Sequence, residues 1–225
     1  MTVELEVRGV LFDMDGVLMS SLGSVERSWH KYALSRDLDP QHAIKIAHGR
    51  RAIETIRFLR PDLDDVAELR VIEDLEVEDN EGLVVLPGVQ QMLAALPENS
   101  WAIVTSATER LARSRLAFAG IKIPRHFITS DAVTHGKPHP EPYLRGAALL
   151  GFAPQDCVVI EDAPAGVAAG KAAGCKVLAV LTTHPPDTLL EADWRVATLA
   201  EVETVAGSSG RVTLRWGPDA KLPDG

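Results

Sequence analysis

The chain has 225 residues, of which 46% are hydrophobic and 24% charged, a composition typical of a globular protein with one large core or a core and a smaller companion. Its formal net charge of −9 argues against a broad nucleic-acid-binding surface. No apolar run approaches the ~20 residues that a membrane span needs, and the N-terminal segment lacks the apolar region of a signal peptide. We therefore expect a cytoplasmic protein with no nucleic-acid or membrane partner.

Short apolar runs alternate with helical patterns along most of the chain. Strands are predicted at 8–13, 101–105, 126–128, 157–161 and 176–180, and helices near 88–96, 109–119, 140–150 and 164–173. Apolar strands that alternate with helices predict an α/β fold with a parallel sheet covered on both faces. Ligands of such folds bind beyond the carboxyl ends of the strands, where Asp13, Ser106, Glu161 and Asp162 are expected.

The interval from residue 22 to about 85 interrupts this alternation, because it contains helical patterns and no convincing strand. Asp39 and Pro40 are typical of a helix start, and Gly49 is typical of a helix end. We interpret the interval as a cap of about four helices, inserted after the first strand. The predicted boundaries are 1–18 and 84–225 for the core and 19–83 for the cap.

The last part of the chain offers one more strand and two cysteines. The stretch "GSSGRVTLRW" predicts a turn and a short edge strand, and the residues after it predict a frayed tail. Cys157 and Cys175 each lie in an apolar run, which predicts buried, reduced thiols.

Two predicted strands run into pairs of acidic residues. Asp13 and Asp15 follow one strand, and Glu161 and Asp162 end another. Unpaired carboxylates at a buried strand end repel each other and are costly to bury. A hard divalent cation removes this cost, and Mg²⁺ prefers carboxylate and carbonyl oxygens. The pairs therefore predict a Mg²⁺ site that includes Asp13 and Asp162, the alternative being that Asp15 and Asp162 only cap the following turn or helix.

Two further residues are suited to an anionic oxygen. Ser106 lies between a strand and a helix, where hydroxyl and free N–H groups bind anions. Lys137 precedes Pro138, which disfavours a helical backbone at the lysine, and its compact charge suits phosphate. Taken alone, each residue is better explained as a helix cap or a solvated loop residue. Together with the acidic pairs they form a set suited to phosphoryl transfer.

Four motifs, "DMDGVL", "VTSA", "GKPHPEPYL" and "EDAPAGVAAGKAAG", occur in this order. They resemble the motifs of the haloacid dehalogenase superfamily, specifically its capped phosphatases, and the resemblance covers essentially the whole chain. The stretch "AHGRRAIETI" further resembles the sugar- and polyol-phosphate phosphatases, which act on hexitol phosphates, glycerol 3-phosphate and 2-deoxyglucose 6-phosphate. The resemblance implies a Rossmann-like core, an inserted helical cap and phosphatase activity.

The resemblance also implies how the first motif works. Asp13 would attack phosphorus and form an aspartyl-phosphate. Asp15 would protonate the leaving alcohol and then take a proton from the hydrolytic water. The dehalogenase branch typically has an aromatic residue at the position of Asp15, and the phosphonate-cleaving branch a small one, neither of which transfers a proton. Asp15 therefore favours a phosphatase or a phosphomutase.

The remaining motif residues would bind metal and phosphate. In the family, Mg²⁺ would be held by Asp13, by the backbone carbonyl of Asp15 and by Asp162. Glu161 would be either a further ligand or a partner of the ligands. The phosphoryl oxygens would be contacted by Ser106, Ala107 and Lys137.

The cap loop "AHGRRA" at 47–52 is predicted to face the substrate. His48, Arg50 and Arg51 would then contact its hydroxyl groups or a second anion. The alternative is that the two arginines are solvated residues at a helix start.

Three functions are consistent with these features. The preferred one is a Mg²⁺-dependent phosphatase that acts, as a monomer, on a small sugar or polyol phosphate. The second is a β-phosphoglucomutase-like isomerase of hexose phosphates, and the third is a binding module without catalysis. The cap's likeness to the sugar phosphatases favours hydrolysis, and the complete set of chemical residues argues against the binding module.

Overall fold

The computed structural model describes residues 2–48, 50–207 and 210–217. The strands in chain order are β1 (Val3–Val7), β2 (Gly9–Phe12), β3 (Met19–Ser20), β4 (Val84–Val85), β5 (Trp101–Val104), β6 (Phe127–Ile128), β7 (Cys157–Glu161), β8 (Lys176–Val180), β9 (Trp194–Val196), β10 (Glu203–Ala206) and β11 (Val212–Trp216). The helices are α1 (Leu22–Ser35), α2 (Pro40–Ala47), α3 (Ala52–Leu59), α4 (Asp65–Glu78), α5 (Val89–Ala95), α6 (Glu109–Phe118), α7 (Glu141–Leu150) and α8 (Pro164–Ala172). Within these ranges, none of the helices is both long enough and apolar enough to span a membrane.

Six strands form a parallel sheet in the order β6, β5, β2, β7, β8, β9. Strands β2 and β7 lie next to each other in the middle and are buried at every position. Burial on both faces explains why these strands are continuous apolar runs in the sequence. The predicted α/β fold with a parallel, Rossmann-like sheet is confirmed.

Helices cover both faces of this sheet. Along β2, Val10 and Phe12 enter one apolar cluster, with residues of α5 and α6, while Leu11 enters another, with residues of α7 and α8. The four helices begin and end within one residue of the predicted positions. Cys157 and Cys175 are free and buried in the second cluster, as predicted.

A second, antiparallel sheet corrects the prediction for the C-terminal segment. Strand β11 was expected at an edge, but it lies in the centre, with β1 on one side and β10 on the other. Val212, Leu214 and Trp216 bury their side chains in the same cluster as Phe12. The prediction was wrong because β1, the partner, comes from the opposite end of the chain and was not recognised as a strand. The predicted tail from residue 218 onward lies outside the described residues.

Helices α1 to α4 are inserted between β3 and β4. The two short strands pair antiparallel, so the outgoing and returning connections lie side by side. The four helices have an apolar cluster of their own, which includes Trp29, Tyr32, Ile56 and Ile72. Asp39 caps α2 by accepting a hydrogen bond from the Gln41 N–H at 3.0 Å, as the sequence indicated. Gly49, the predicted stop, lies outside the described residues, and the cap boundaries of 19–83 stay a prediction.

Candidate active site

A cavity of about 240 Å³ lies between the carboxyl edge of the parallel sheet and the inserted helices. Its volume is below the ~300–1,000 Å³ of typical drug-sized ligand sites, so it suits a small ligand. Ten residues were predicted from the sequence to act on substrate, phosphate or metal, and all of them line this cavity: Asp13, Asp15, His48, Arg50, Arg51, Ser106, Ala107, Lys137, Glu161 and Asp162.

A buried ion pair in the cavity joins Asp13 to Lys137. Asp13 directly follows β2, and the Lys137 Nζ donates to its Oδ1 at 2.5 Å. Burial raises the pKa of Asp13 to about 7, although Lys137 opposes the shift. For Lys137, burial works against the charge, but the carboxylates of Asp13 and Glu161 outweigh it and raise its pKa. The lysine is therefore a fixed positive charge beside Asp13.

The loop that carries Lys137 is held in place by the helix that follows it. The Glu141 carboxylate, in the first turn of α7, accepts hydrogen bonds from the N–H groups of Thr134 and His135 at 3.0 and 2.9 Å. These bonds fold the loop back toward the start of the helix. Lys137 is thereby directed into the cavity with only 5% of its surface exposed.

Glu161 is the last residue of β7, and each of its two carboxylate oxygens accepts two hydrogen bonds. Its Oε1 accepts from the Lys137 Nζ and the Tyr143 hydroxyl, each at 2.7 Å. Its Oε2 accepts from the backbone N–H groups of Asp162 and Ala163 at 2.9 and 3.1 Å. A Cβ at Gly166 would come within 1.6 Å of Oε1. The glycine of "APAGV" therefore makes room for this carboxylate, a role that the sequence did not suggest.

Three carboxylates, those of Asp13, Glu161 and Asp162, have oxygens within 4.8 Å of one another. Lys137 balances one of the three charges, so two negative charges remain if all are ionised. Burial and the charges of Glu161 and Asp13 raise the pKa of Asp162 well above its ordinary value. A buried oxygen donor set with two uncompensated charges fits a divalent cation.

Gly16 lets the two acidic segments approach each other. Its φ is +81°, and a Cβ there would lie 2.0 Å from the Asp162 Oδ2. The Thr183 hydroxyl donates to the same Asp162 oxygen. Asp162 is thus held against the turn that follows Asp13.

Asp15 has a cationic partner that the sequence did not reveal. The Arg115 Nη1 on α6 donates to the Asp15 Oδ1 at 2.8 Å, and its Nη2 donates to the Glu76 Oε1 at 3.3 Å. Glu76 belongs to α4, so the arginine joins a core loop to an inserted helix. Burial raises the pKa of Glu76 to about 7, although Arg115 opposes the shift.

The loop after β5 brings Ser106 and Ala107 to the cavity. The Thr105 Oγ1 accepts a hydrogen bond from the Ala107 N–H at 3.1 Å, so this N–H is engaged within the loop. Thr108 caps α6 with its side chain, which also donates to Glu73 of α4. The phosphate contacts predicted for Ser106 and Ala107 stay predictions.

The three candidate residues of the cap loop differ in their surroundings. Arg51 donates to the backbone carbonyls of Thr134 and Ser130, at 3.0 and 3.3 Å, and so fastens the inserted helices to the core. Arg50 is exposed at the cavity entrance, and the His48 Nε2 lies 3.9 Å from a carboxylate oxygen of Glu26. Their predicted contacts with substrate stay predictions.

The sequence model of the haloacid dehalogenase-like hydrolase family matches residues 7–174, about three quarters of the chain. The chain belongs to the haloacid dehalogenase-like hydrolase family. The matched range contains Asp13, Ser106, Lys137 and Asp162, the residues for which the sequence resemblance had been drawn. The predicted family is confirmed.

Relatives of this haloacid dehalogenase-like hydrolase include named phosphatases. It is 40% identical to hexitol phosphatase A of Escherichia coli over 94% of its own length and 100% of the relative. It is 37% identical to glycerol-1-phosphate phosphohydrolase 2 of Saccharomyces cerevisiae, over 84% and 80% of the two chains. These relatives confirm the prediction that the enzyme belongs to the phosphatase class.

Solved structures share the same fold. A putative β-phosphoglucomutase from Bacteroides vulgatus superposes with a TM-score of 0.70 at 33% identity, covering 86% of this chain and 85% of the other. The chain is therefore similar to a protein named as an isomerase as well as to the named phosphatases.

The residues of this hydrolase's cavity and its surroundings that were missed from the sequence include Arg115, Glu76 and Tyr143. Arg115 had a detectable signal, because it shares one face of α6 with the buried Leu111, Ala112 and Leu116. A charged residue on an apolar helix face needs a buried partner. Nothing local indicated that the partners would be Asp15 and Glu76.

Proposed function

We propose that this hydrolase cleaves the phosphate ester of a small sugar or polyol, with Asp13 as nucleophile and Mg²⁺ as cofactor. The observation that carries the proposal is the buried pair of Asp13 and Lys137 in the small cavity between the sheet edge and the inserted helices. The named phosphatases among its relatives support hydrolysis of a phosphate ester.

Asp13 attacks phosphorus through the carboxylate oxygen that Lys137 does not hold. The new bond joins this oxygen to phosphorus, while the bond from phosphorus to the substrate's alcohol oxygen breaks. Asp15 donates its proton to the departing oxygen. In the second step of the reaction, Asp15 takes a proton from water as the water oxygen attacks phosphorus. The bond from Asp13 to phosphorus then breaks, which releases inorganic phosphate and regenerates Asp13. Lys137 lowers the repulsion between the incoming phosphate and Asp13.

The carboxylates of Asp13 and Asp162 would hold the Mg²⁺, together with the backbone carbonyl of Asp15. When bound, the ion supplies positive charge that offsets the phosphoryl oxygens and the two uncompensated carboxylates. Because four hydrogen bonds already occupy Glu161, we assign it to holding Lys137 rather than to the metal.

The cap side of the cavity would bind the leaving group. Val25, Trp29 and Ile72 form an apolar wall, against which the carbon chain of a polyol can pack. Glu73 and His48 offer polar groups to its hydroxyls. Arg50 at the entrance offers a cation to the phosphate or to a second anion.

Phosphate release from a panel of hexitol phosphates, glycerol phosphates, hexose phosphates and 2-deoxyglucose 6-phosphate tests this proposal. We expect release from at least one polyol or sugar phosphate with Mg²⁺, and loss of turnover with a chelator. Asp13→Asn removes the nucleophile and should reduce kcat at least ~10⁴-fold while the folded state is kept. Retained turnover in this variant would exclude Asp13. Interconversion of hexose phosphates with little phosphate release would favour the isomerase instead.

A further inference from the structure

Arg115 joins three separate parts of the molecule. Its guanidinium contacts Asp15 in the loop after β2 and Glu76 on the inserted helix α4, while its own backbone is in α6 of the core. Only 2% of the residue is exposed, and its Nε has no hydrogen-bond partner among the described residues. Within those described residues, the arginine thus has two charged contacts, and both lie at the cavity.

Stability alone does not account for this arginine. Removing a guanidinium from water is costly, and an apolar residue in place of a buried ion pair is often neutral or stabilising. The neighbours Leu111, Ala112 and Leu116 on the same helix face show that an apolar side chain would suit the position. A charged group at this position points to a task at the cavity.

The geometry at Asp15 shows what this task is. Arg115 holds the Oδ1 of Asp15, and no other side chain of the described residues is bonded to the Asp15 carboxylate. The second oxygen, Oδ2, is left for proton exchange with the leaving oxygen and with water. Fixing one oxygen sets the direction of the other, as a catalytic proton donor requires.

We propose that Arg115 is a positioning residue that aims the Asp15 carboxylate at the leaving oxygen. Glu76 orients the Arg115 guanidinium when the inserted helices cover the site. This inference rests on the proposed role of Asp15 as proton donor. Arginine suits the task because its rigid planar fork presents separate N–H groups to two carboxylates in fixed directions, whereas a lysine ammonium is a point charge without a fixed fork. The contact with Glu76 exists only while α4 lies over the core. Proton transfer is thereby linked to a covered site.

Substrates with different leaving groups test the proposal. The leaving alcohol of glycerol 3-phosphate, or of the best alkyl substrate, needs a proton, whereas p-nitrophenolate is a stable anion and leaves without one. We expect Arg115→Lys to lower kcat/KM for the alkyl phosphate about 10²-fold, and for p-nitrophenyl phosphate only about threefold. A purely structural role of Arg115 would lower both values by the same factor.

Arg110→Lys is the matched control. Arg110 is on the same helix and also pairs with α4, through Glu73 at 2.7 Å and Asp74 at 2.6 Å, but its side chain is 52% exposed and does not contact Asp15. We expect this variant to keep the wild-type ratio of the two kcat/KM values. Thermal unfolding of both lysine variants shows whether each one folds.

Two more variants keep the proposal testable if Arg115→Lys does not fold. Glu76→Gln preserves shape and should lower kcat/KM for the alkyl phosphate about tenfold, with a smaller effect on p-nitrophenyl phosphate. Asp15→Asn is the reference, because it removes the proton donor itself. Equal losses on both substrates for Asp15→Asn would overturn the proposed role of Asp15. Strong leaving-group dependence for Asp15→Asn but none for Arg115→Lys or Glu76→Gln would overturn the role of Arg115 alone.

Discussion

The carboxylate of Glu161 shows how a single residue organises the site. Its four hydrogen bonds come from Lys137, Tyr143 and two consecutive backbone N–H groups. Burial raises the pKa of Tyr143, so that its hydroxyl stays a donor. The carboxylate therefore orients Lys137 while its negative charge supports the lysine's positive charge. Asp162, the next residue, has one oxygen held by Thr183 and is otherwise available to a cation.

These two neighbouring acids should respond differently to neutralisation. We expect Asp162→Asn to weaken Mg²⁺ binding at least ~10³-fold, because it removes a proposed ligand of the ion. Glu161→Gln should cost about tenfold, within the range of residues that support a ligand without touching the metal. Calorimetric titration of both variants with Mg²⁺ measures the difference. Equal losses would show that Glu161 is itself a ligand.

At the level of elements, helix α4 connects the inserted helices to the core beside the candidate site. It begins at an N-cap, Asp64, whose side chain accepts hydrogen bonds from the Val66 and Ala67 N–H groups, each at 3.0 Å. Near its other end, the helix places Glu73 and Glu76 over α6 of the core. Charged contacts rather than a continuous apolar surface join these two helices at the cavity, which suits a cap that opens for substrate exchange.

The buried carboxylate of Glu76 predicts a pH dependence of stability. Its pKa rises from 4.5 to about 7 in the folded state, with Arg115, Asp15 and Glu73 as its charged neighbours. A raised carboxyl pKa stabilises the fold fully below pH ~4.5, and this stabilisation is lost as the pH rises through about 7. Compared with Glu76→Gln, the wild type should lose about 2–3 kcal/mol of unfolding free energy between pH 5 and 8.

Urea denaturation of both proteins at several pH values, with a chelator present, measures this change. The difference between the two proteins isolates Glu76, because the other buried acids titrate in both. A difference that stays constant with pH would contradict the predicted shift.

On the scale of the whole molecule, the two ends of the chain close one side of the core. Strands β1 and β11 pair along their full lengths, and Trp216 at the end of β11 packs edge-on against Trp194 of β9 at a centroid distance of 5.5 Å. This contact ties the small antiparallel sheet to the edge of the parallel sheet. The candidate site lies at the carboxyl edge of the parallel sheet, and no described residue of β1 or β11 lines its cavity, so the closure supports the fold away from that site.

Trp216→Ala should therefore lower the free energy of unfolding but leave the catalytic activity unchanged. Trp216 is 3% exposed, and truncating a buried tryptophan costs about 3–5 kcal/mol. Val205→Ala on the neighbouring strand β10 is the control, since Val205 is 38% exposed and its truncation should cost less than about 1 kcal/mol. Unfolding curves give the free energies, and activity per folded molecule should be unchanged in both. A large fall in kcat for Trp216→Ala would contradict this separation.

The sequence by itself determined the features that depend on local pattern. Buried parallel strands are continuous apolar runs, helix ends have caps, and chemical residues follow strand ends, so the sheet, its flanking helices and the cavity positions of Asp13, Ser106, Glu161 and Asp162 were predictable. The cap-loop residues His48, Arg50 and Arg51 were instead expected from the resemblance to a family. Gly16 and Lys137 also belong to short motifs whose meaning does not depend on distant partners.

Only the tertiary structure decided which distant residues meet. The pairing of β11 with β1, the contact of Arg115 with both Asp15 and Glu76, and the fastening of Arg51 to the core all join segments far apart in the chain. A strand's neighbours and a buried charge's partner are set by packing of the whole chain, because hydrogen bonds and ion pairs form wherever burial requires them. Local periodicity contains no information about that choice.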